Sequence, residues 1–383
     1  MKHKDPPTPS GPRWPRAEVW APLLVLVVIA GVVWASFWSG PTVEDDRGDR
    51  VGASQETGET AGPGDDPWTG ETTEPDDDPA DDDPADDDPA AAESHGAEAR
   101  PTEPDELEES VRRFRAAQRR LAARVSQQLR RRTQPFEFRV ASYNVLGDSH
   151  TGPGGNKPGF PDASPRMDMA IAALRNNDID VVGFQEFEAS QFSMFSARAG
   201  EYALYPGLTL GTKSVRFNIA WRTSVWSFVD AHTLSIPYAG GSRIDMPVVL
   251  LESTATGRRA WFANFHNPAD TPNLGNNGRW RAEAAGIEVS HLTELYQTDG
   301  YPVIATGDYN ERAEIFCRFT AGGVFGAAAG GSSAGGCAPP SRMEVDWIFG
   351  STGVAFTDYA VTGTGKASDH NLVHSTATLT GSE

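Results

Sequence analysis

At 383 residues and a formal net charge of −20 the chain could hold two or three domains, but its charge is so uneven that the average describes no part of it. Residues 1–40 carry +2, 41–109 carry −23, 110–134 carry +9 and 135–383 carry −8, so the acidity belongs mainly to one segment. Only two cysteines occur, which excludes a four-thiolate zinc site.

The first predicted element is "VWAPLLVLVVIAGVVWASFW", Val19 to Trp38, which carries no charge and as a helix would be about 30 Å long, one hydrocarbon thickness. Lys2, Lys4, Arg13 and Arg16 precede it and acids dominate after it, so residues 1–18 are expected in the cytoplasm and the remainder outside. The other reading, a cleaved signal peptide, fits less well: the apolar stretch is longer than an ordinary signal core and no Ala-x-Ala site follows. Either way the C-terminal region is exported, and the expected location is a single-pass cell-membrane protein with an extracellular catalytic domain.

Residues 39–104 are rich in Asp, Glu, Pro, Gly and Thr and poor in large apolar side chains, so they are expected to be a disordered linker. Within them "PDDDPADDDPADDDPA" repeats a five-residue unit, an extended spacer rather than a calcium loop, since backbone-carbonyl ligands and a Gly turn are missing. Residues 105–134 follow as a charged stalk helix. Leu107, Val111, Phe114, Leu121, Val125 and Leu129 form one narrow stripe interrupted by Gln118, with acids at the start and arginines at the end. Such a helix could pair as a coiled coil, lie on the acidic tract or touch anionic lipid; a solvated stalk is the expectation.

From residue 135 onward strands and helices alternate. "FEFRVASYNV", "DIDVVGFQE", "FNIAWR", "MPVVLLES", "RRAWFANFH", "YPVIATGDYN", "VDWIFG" and "NLVHSTATL" read as strands, several too apolar to face water on either side. "SPRMDMAIAALRNN", with Ser164 as N-cap, and "RWRAEAAGIEVSHLTELYQ" read as helices. One α/β domain of packed sheets and outer helices is expected over 135–383. In an oxidising exterior Cys317 and Cys337 are expected to form a disulfide closing the Gly-rich loop between them.

Apolar strands end at once in Asn144, Glu186, His266, Asp308 with Asn310, and Asp369 with His370. Strand ends are where α/β sites gather, although each residue alone could be a turn residue or cap. Amide and carboxylate oxygens suit Mg2+, leaving the histidines for proton transfer, and Asp346 could hold His370. P-loop, Gly-x-Ser-x-Gly and His-Glu-x-x-His patterns are missing.

"SYNV", "VVGFQE", "FHNP", "TGDYN", "VDWIF" and "SDHNLV", in this order, resemble the endonuclease/exonuclease/phosphatase superfamily, which includes pancreatic-type deoxyribonuclease. The resemblance implies a four-layer α/β sandwich, deoxyribonuclease-like, and a metal-dependent phosphoric ester hydrolase. It implies Glu186 as the principal Mg2+ ligand with Asn144 and Asp369 close to the metal, Mn2+ or Ca2+ being alternatives. It further implies Asp308 as the residue that orients or activates water, Asn310 on the phosphoryl oxygens, His370 as catalytic histidine with Asp346 as partner, and His266 as a second histidine. His150, after the first strand, could also line the pocket, a solvent-facing loop histidine being the expectation. Glu188 stands where the deoxyribonuclease pattern has an Arg, and Asn218 where it has the Glu supporting the second histidine; both, with the net −8, weaken a duplex-DNA assignment, though Arg216, Arg222, Arg279 and Arg281 could offset the mean charge. The expected substrate is a phosphodiester of nucleic acid or of a phospholipid headgroup, nuclease-like activity being favoured, with a sphingomyelinase-type enzyme as alternative. A non-catalytic surface-binding module is the rival from another class. Beyond substrate and membrane, no obligate protein partner is expected.

Overall fold

The computed structural model describes residues 103–211, 215–273 and 275–380. The expected membrane helix 19–38 and nearly all of the expected linker lie outside these residues. Among the described residues no helix is long and apolar enough to cross a membrane. The first element is helix α1, Glu103–Arg132, whose apolar stripe is exposed along its length.

Two six-stranded sheets follow. The first has the order β11-β12-β1-β2-β4-β3, with β1 Phe136–Asn144, β2 Val181–Gln185, β3 Tyr202–Tyr205, β4 Asn218–Arg222, β11 Val354–Thr362 and β12 Leu372–Leu379. The second has the order β5-β6-β7-β8-β10-β9, with β5 Trp226–Pro237, β6 Arg243–Ser253, β7 Arg259–His266, β8 Val303–Asp308, β9 Phe325–Ala327 and β10 Asp346–Ser351. The eight strands expected from continuous apolar runs are the interior strands of the two sheets, each covered on both faces.

Between the sheets Phe138, Val140, Val181, Trp226, Phe262, Ile304 and Ile348 form the central core. On the outer face of the first sheet lie α2, Ala163–Asn176, and α3, Ala189–Arg198, burying Met167, Ile171, Leu174 and Phe195. On the outer face of the second lie α4, Gly278–Asp299, and α5, Ala313–Thr320, burying Ala284, Leu292, Ile315 and Phe319. The layers therefore run helix, sheet, sheet, helix, as the four-layer sandwich requires. The N-cap of α2 is Asp162, not Ser164, because the helix begins two residues earlier; the Ser164 hydroxyl instead accepts from Arg198 at 2.9 Å. Cys317 and Cys337 are bonded, pinning the end of the Gly-rich loop to α5.

Towards the end of the sandwich where the site lies, the apolar core gives way to a buried polar seam. Gln185 Nε2 donates to Asn264 Oδ1 at 2.6 Å and to Ser142 Oγ at 3.2 Å, and Asn264 Nδ2 donates to the Phe184 carbonyl at 2.7 Å. Gly183 makes this approach of the sheets feasible: a Cβ there would run into Thr306 Oγ1 and Asn264 Oδ1, with Asn264 Cγ at 2.8 Å. Most of the groups here that water cannot reach are thus paired across the sheet interface, Gln185 Oε1 excepted, which fixes the two sheets in one register.

Candidate active site

Strand register builds the site. His266 pairs with Asp308 across the parallel β7–β8 ladder, and Asp308 pairs with Asp346 across the antiparallel β8–β10 ladder. Three chemically active side chains therefore stand in one row at one sheet end. All three are buried, at 4 %, 2 % and 3 % exposure, so each must find a partner or carry a shifted pKa.

Asp308 is the hub. Its Oδ1 accepts from the Asn310 backbone N–H at 3.0 Å and its Oδ2 from Asn144 Nδ2 at 3.1 Å; His266 Nε2 and His370 Nε2 stand 3.5 and 3.8 Å from the same Oδ2. Burial pushes its carboxyl up and the charge of Asp346 adds to this, while the two histidines and Asn144 oppose. His370 Nδ1 meets Asp346 Oδ2 at 2.8 Å, which fixes the ring and directs Nε2 towards Asp308. Burial alone would lower the His370 pKa, but the Asp346 carboxylate, by charge and hydrogen bond, with Asp308 and Asp369 beyond, holds it at about 10. His370 is therefore an imidazolium at neutral pH.

Glu186 and Asn310 both follow strands in the left-handed region, at φ 55° and 52°, a conformation that non-glycine residues adopt mainly where the surroundings enforce it. The turn at Glu186 brings its Oε2 to the Gly147 N–H at 3.0 Å and to His150 Nε2 at 3.3 Å. Burial would raise this carboxyl, yet His150, His266 and the Gly147 amide together hold it far below the usual carboxylate range. Asn310 is held through its Nδ2, which donates to the Asn267 carbonyl at 2.8 Å.

His150 is not a solvent-facing loop residue. The turn Asp148–His150 folds back over β2, so the ring is part-buried between Glu186 and Asn156 Oδ1 at 2.8 Å, and the Glu186 hydrogen bond raises its pKa. Asp369 lies on the exposed rim, ion-paired to Lys157 at 2.6 Å. Asn144 turns its Oδ1 to the Leu146 N–H at 3.0 Å and its amide nitrogen to Asp308, so in this structure it orients the Asp as well as standing beside Glu186's strand.

Arg166 and Asn267 hold places that the sequence did not assign, and Glu188 and Asn218 take structural ones. Arg166, 1 % exposed, donates to the carbonyls of Val145 and Leu146 at 2.8 and 2.6 Å and of Gly147 at 3.2 Å, clamping the turn whose Gly147 amide holds Glu186. Asn267 is buried and its backbone N–H donates to the Asp308 carbonyl at 2.9 Å. Glu188 accepts from Ser149 N at 2.9 Å and Ser149 Oγ at 2.6 Å, so it secures the loop that carries His150. Asn218 is likewise structural, accepting from Gly207 N at 2.9 Å and donating to Val215 O at 2.7 Å, while His266 Nδ1 is buried without a hydrogen-bond partner. Burial lowers the His266 pKa, against the opposing charges of Asp308 and Glu186.

Asp308, Asp346 and His370 offer atoms within 4.8 Å of one another, a spacing compatible with a cation. Asp346 Oδ2 is already committed to His370 Nδ1, however, and a hard cation prefers an all-oxygen set. Glu186, Asn144 and Asp369 offer oxygens alone, which in this structure are engaged by Gly147 N and His150, by Leu146 N and by Lys157 respectively.

The family model described as Endonuclease/Exonuclease/phosphatase family matches residues 141–370. An endonuclease/exonuclease/phosphatase family protein from Bacteroides thetaiotaomicron is 18 % identical, with TM-score 0.52, over 64 % of this chain and 99 % of that one. A mannosyl-6-phosphatase from the same organism is 20 % identical, with TM-score 0.50, over 63 % of this chain and 99 % of that one. At these identities the likeness is one of fold. No curated protein matches the chain.

Proposed function

The chain belongs to the endonuclease/exonuclease/phosphatase family, whose members are phosphoesterases, and from that premise we propose that it is a Mg2+-dependent phosphodiesterase of nuclease-like specificity, carried on an extracellular domain by an N-terminal membrane anchor. The observation that supports the chemistry is the linkage of Asp346, His370 and Asp308 at one sheet end, next to Asn144 and His266.

In this reading Glu186, Asn144 and Asp369 would hold the cation, which when bound neutralises charge on the phosphoryl oxygens. Asp308, whose burial makes it a better base than a surface carboxylate, receives a proton from the attacking water. Its backbone and Asn144 contacts leave Oδ2 oriented for that task. His370 presents a protonated Nε2 to the phosphate, with Asp346 stabilising the charge, and Asn310 steadies the phosphoryl group from beside Asp308. His266 faces Asp308 Oδ2 through Nε2 at 3.5 Å and acts on the same oxygen.

Lys157, Arg216 and His150 give the rim cations for an anionic substrate, while Glu188 is tied into the loop carrying His150. This supports a small or single-stranded phosphodiester over a duplex gripped in a groove. The disulfide supports an oxidising compartment. The test is hydrolysis, by the full chain with Mg2+, of single-stranded DNA, duplex DNA, RNA, sphingomyelin and a sugar phosphomonoester. Cleavage of single-stranded nucleic acid ahead of the others is expected; turnover of the monoester or the lipid alone would reject the nuclease-like reading while leaving a phosphoesterase, and no turnover of any would reject both.

A further inference from the structure

Helix α1 exposes its apolar side chains to a degree that a stable surface helix does not: Leu107 is 66 % exposed, Phe114 63 %, Leu121 62 % and Val125 48 %. The order is regular. Leu107, Val111, Phe114, Gln118, Leu121 and Val125 follow at spacings of four, three, four, three and four, the seam of a coiled coil, in which one polar residue at a core position selects register and partner number. The helix meets its own catalytic region over its last turns, where Arg124, Gln127, Gln128 and Arg131 line a cavity with Ser227 and Glu252, Arg132 pairs with Glu252 at 3.5 Å and the Gln134 carbonyl beyond it accepts from Arg258 at 3.0 Å.

The geometry points to a second copy of this chain as the occupant of that seam, with the two α1 helices running antiparallel. The charge order chooses both the partner and the direction. Asp105, Glu106, Glu108 and Glu109 crowd the first turns, and Arg124, Arg130, Arg131 and Arg132 the last. A parallel pair would set acidic head against acidic head and Arg-rich tail against Arg-rich tail; an antiparallel pair sets each acidic head beside an Arg-rich tail, Glu108 facing Arg124, while at its middle Arg112 and Arg113, paired within the helix to Glu108 and Glu109, face Arg120 and Arg119. The antiparallel offset that places Leu107 against Val125 of the other copy also places Val111 against Leu121 and Phe114 against Gln118, so nearly every apolar residue meets an apolar one. The acidic tract of the linker offers charge to the same arginines but no side chains to cover the seam. This inference does not depend on the chemistry assigned above.

Sedimentation of the full chain in detergent, with Leu121→Glu as comparison, is the first test. A dimer that becomes a monomer in Leu121→Glu with an unchanged hydrolytic rate is expected. A wild-type monomer overturns the proposal and returns the helix to the acidic linker or to lipid; so does a dimer that survives Leu121→Glu, which would be held by another segment. Direction is read by oxidation, the native cysteines being bonded to each other. Chains carrying Leu107→Cys mixed with chains carrying Val125→Cys are expected to cross-link to one another. Two Leu107→Cys chains are not, since an antiparallel pair holds these positions about 27 Å apart along the axis; the opposite pattern overturns the antiparallel arrangement.

Discussion

Replacing Gly183 by Ala puts a single methyl group where the sheets touch. The new carbon would overlap Thr306 Oγ1 and Asn264 Oδ1 and come within 2.8 Å of Asn264 Cγ, when ordinary contact begins near 3.4 Å. Neither neighbour can swing away, since Asn264 is bonded to Phe184, Asn218 and Gln185 and Thr306 to Ala263. Overpacking of this kind costs about 1–3 kcal/mol, and loss of one seam hydrogen bond about 1 kcal/mol more. The total, about 2–4 kcal/mol, corresponds to a fall of roughly 5–15 °C in Tm for a domain of this size. The strain also travels. Asn264 and Thr306 each lie two residues before His266 and Asp308 on their strands, so a shift of the seam displaces the two side chains above it. Thermal and urea unfolding of Gly183→Ala, with kcat/KM on a bis-aryl phosphate, should show both losses together. Adding Thr306→Ala, which removes one of the overlapping atoms, should recover part of each. Wild-type Tm and activity in Gly183→Ala would refute the idea that this interface sets the site's geometry.

The pH dependence has a definite sign. Because the folded state raises the His370 pKa, its contribution to stability is full below the unfolded value of about 6.5 and is lost as pH rises through about 10. Activity that needs the imidazolium follows the same alkaline limb, and Asp346→Asn should move that limb towards neutrality in a pH–rate profile. Arg166→Met keeps the bulk of the side chain but removes the charged donor shared by the carbonyls of Val145, Leu146 and Gly147, which keep only Gln191 Nε2 and the His150 N–H; a loss of about 1.5–3 kcal/mol in urea unfolding is expected, with weaker metal dependence through the loosened Gly147 turn. Removing both Cys317 and Cys337 by substitution with Ser opens a loop of sequence separation 20 and should cost about 3 kcal/mol, while KM for a small diester stays unchanged.

How far the sequence could be read follows from where each strand sits. The strands expected in advance are covered on both faces and so are written as unbroken apolar runs. The four not expected, β3, β5, β9 and β11, are the four sheet edges. β5 reads "WSFVDAHTLSIP" and β11 "VAFTDYAVT", alternating because one face meets solvent, and each carries a register shift that blurs even that period. His266 and Asp308 close apolar strands and were singled out on that pattern, whereas Asp346 opens β10 and His370 precedes β12, so these two were singled out through the combination of motifs and not by position on a strand. Arg166 was not, because nothing local distinguishes a helix arginine that faces solvent from one that faces buried carbonyls. His150 was misread for a related reason: its partner Glu186 lies across a neighbouring strand, and only the turn's path over β2 joins them.

The central claim is that the buried group around Asp308 and His370 performs metal-assisted phosphoester hydrolysis. Rates of bis-aryl phosphate hydrolysis by the full chain with Mg2+, with EDTA, and with Mg2+ in the Asp308→Asn and His370→Ala variants test it most directly. The account predicts turnover with Mg2+ and a loss of at least about 100-fold in each of the other three; equal rates in all four would contradict it.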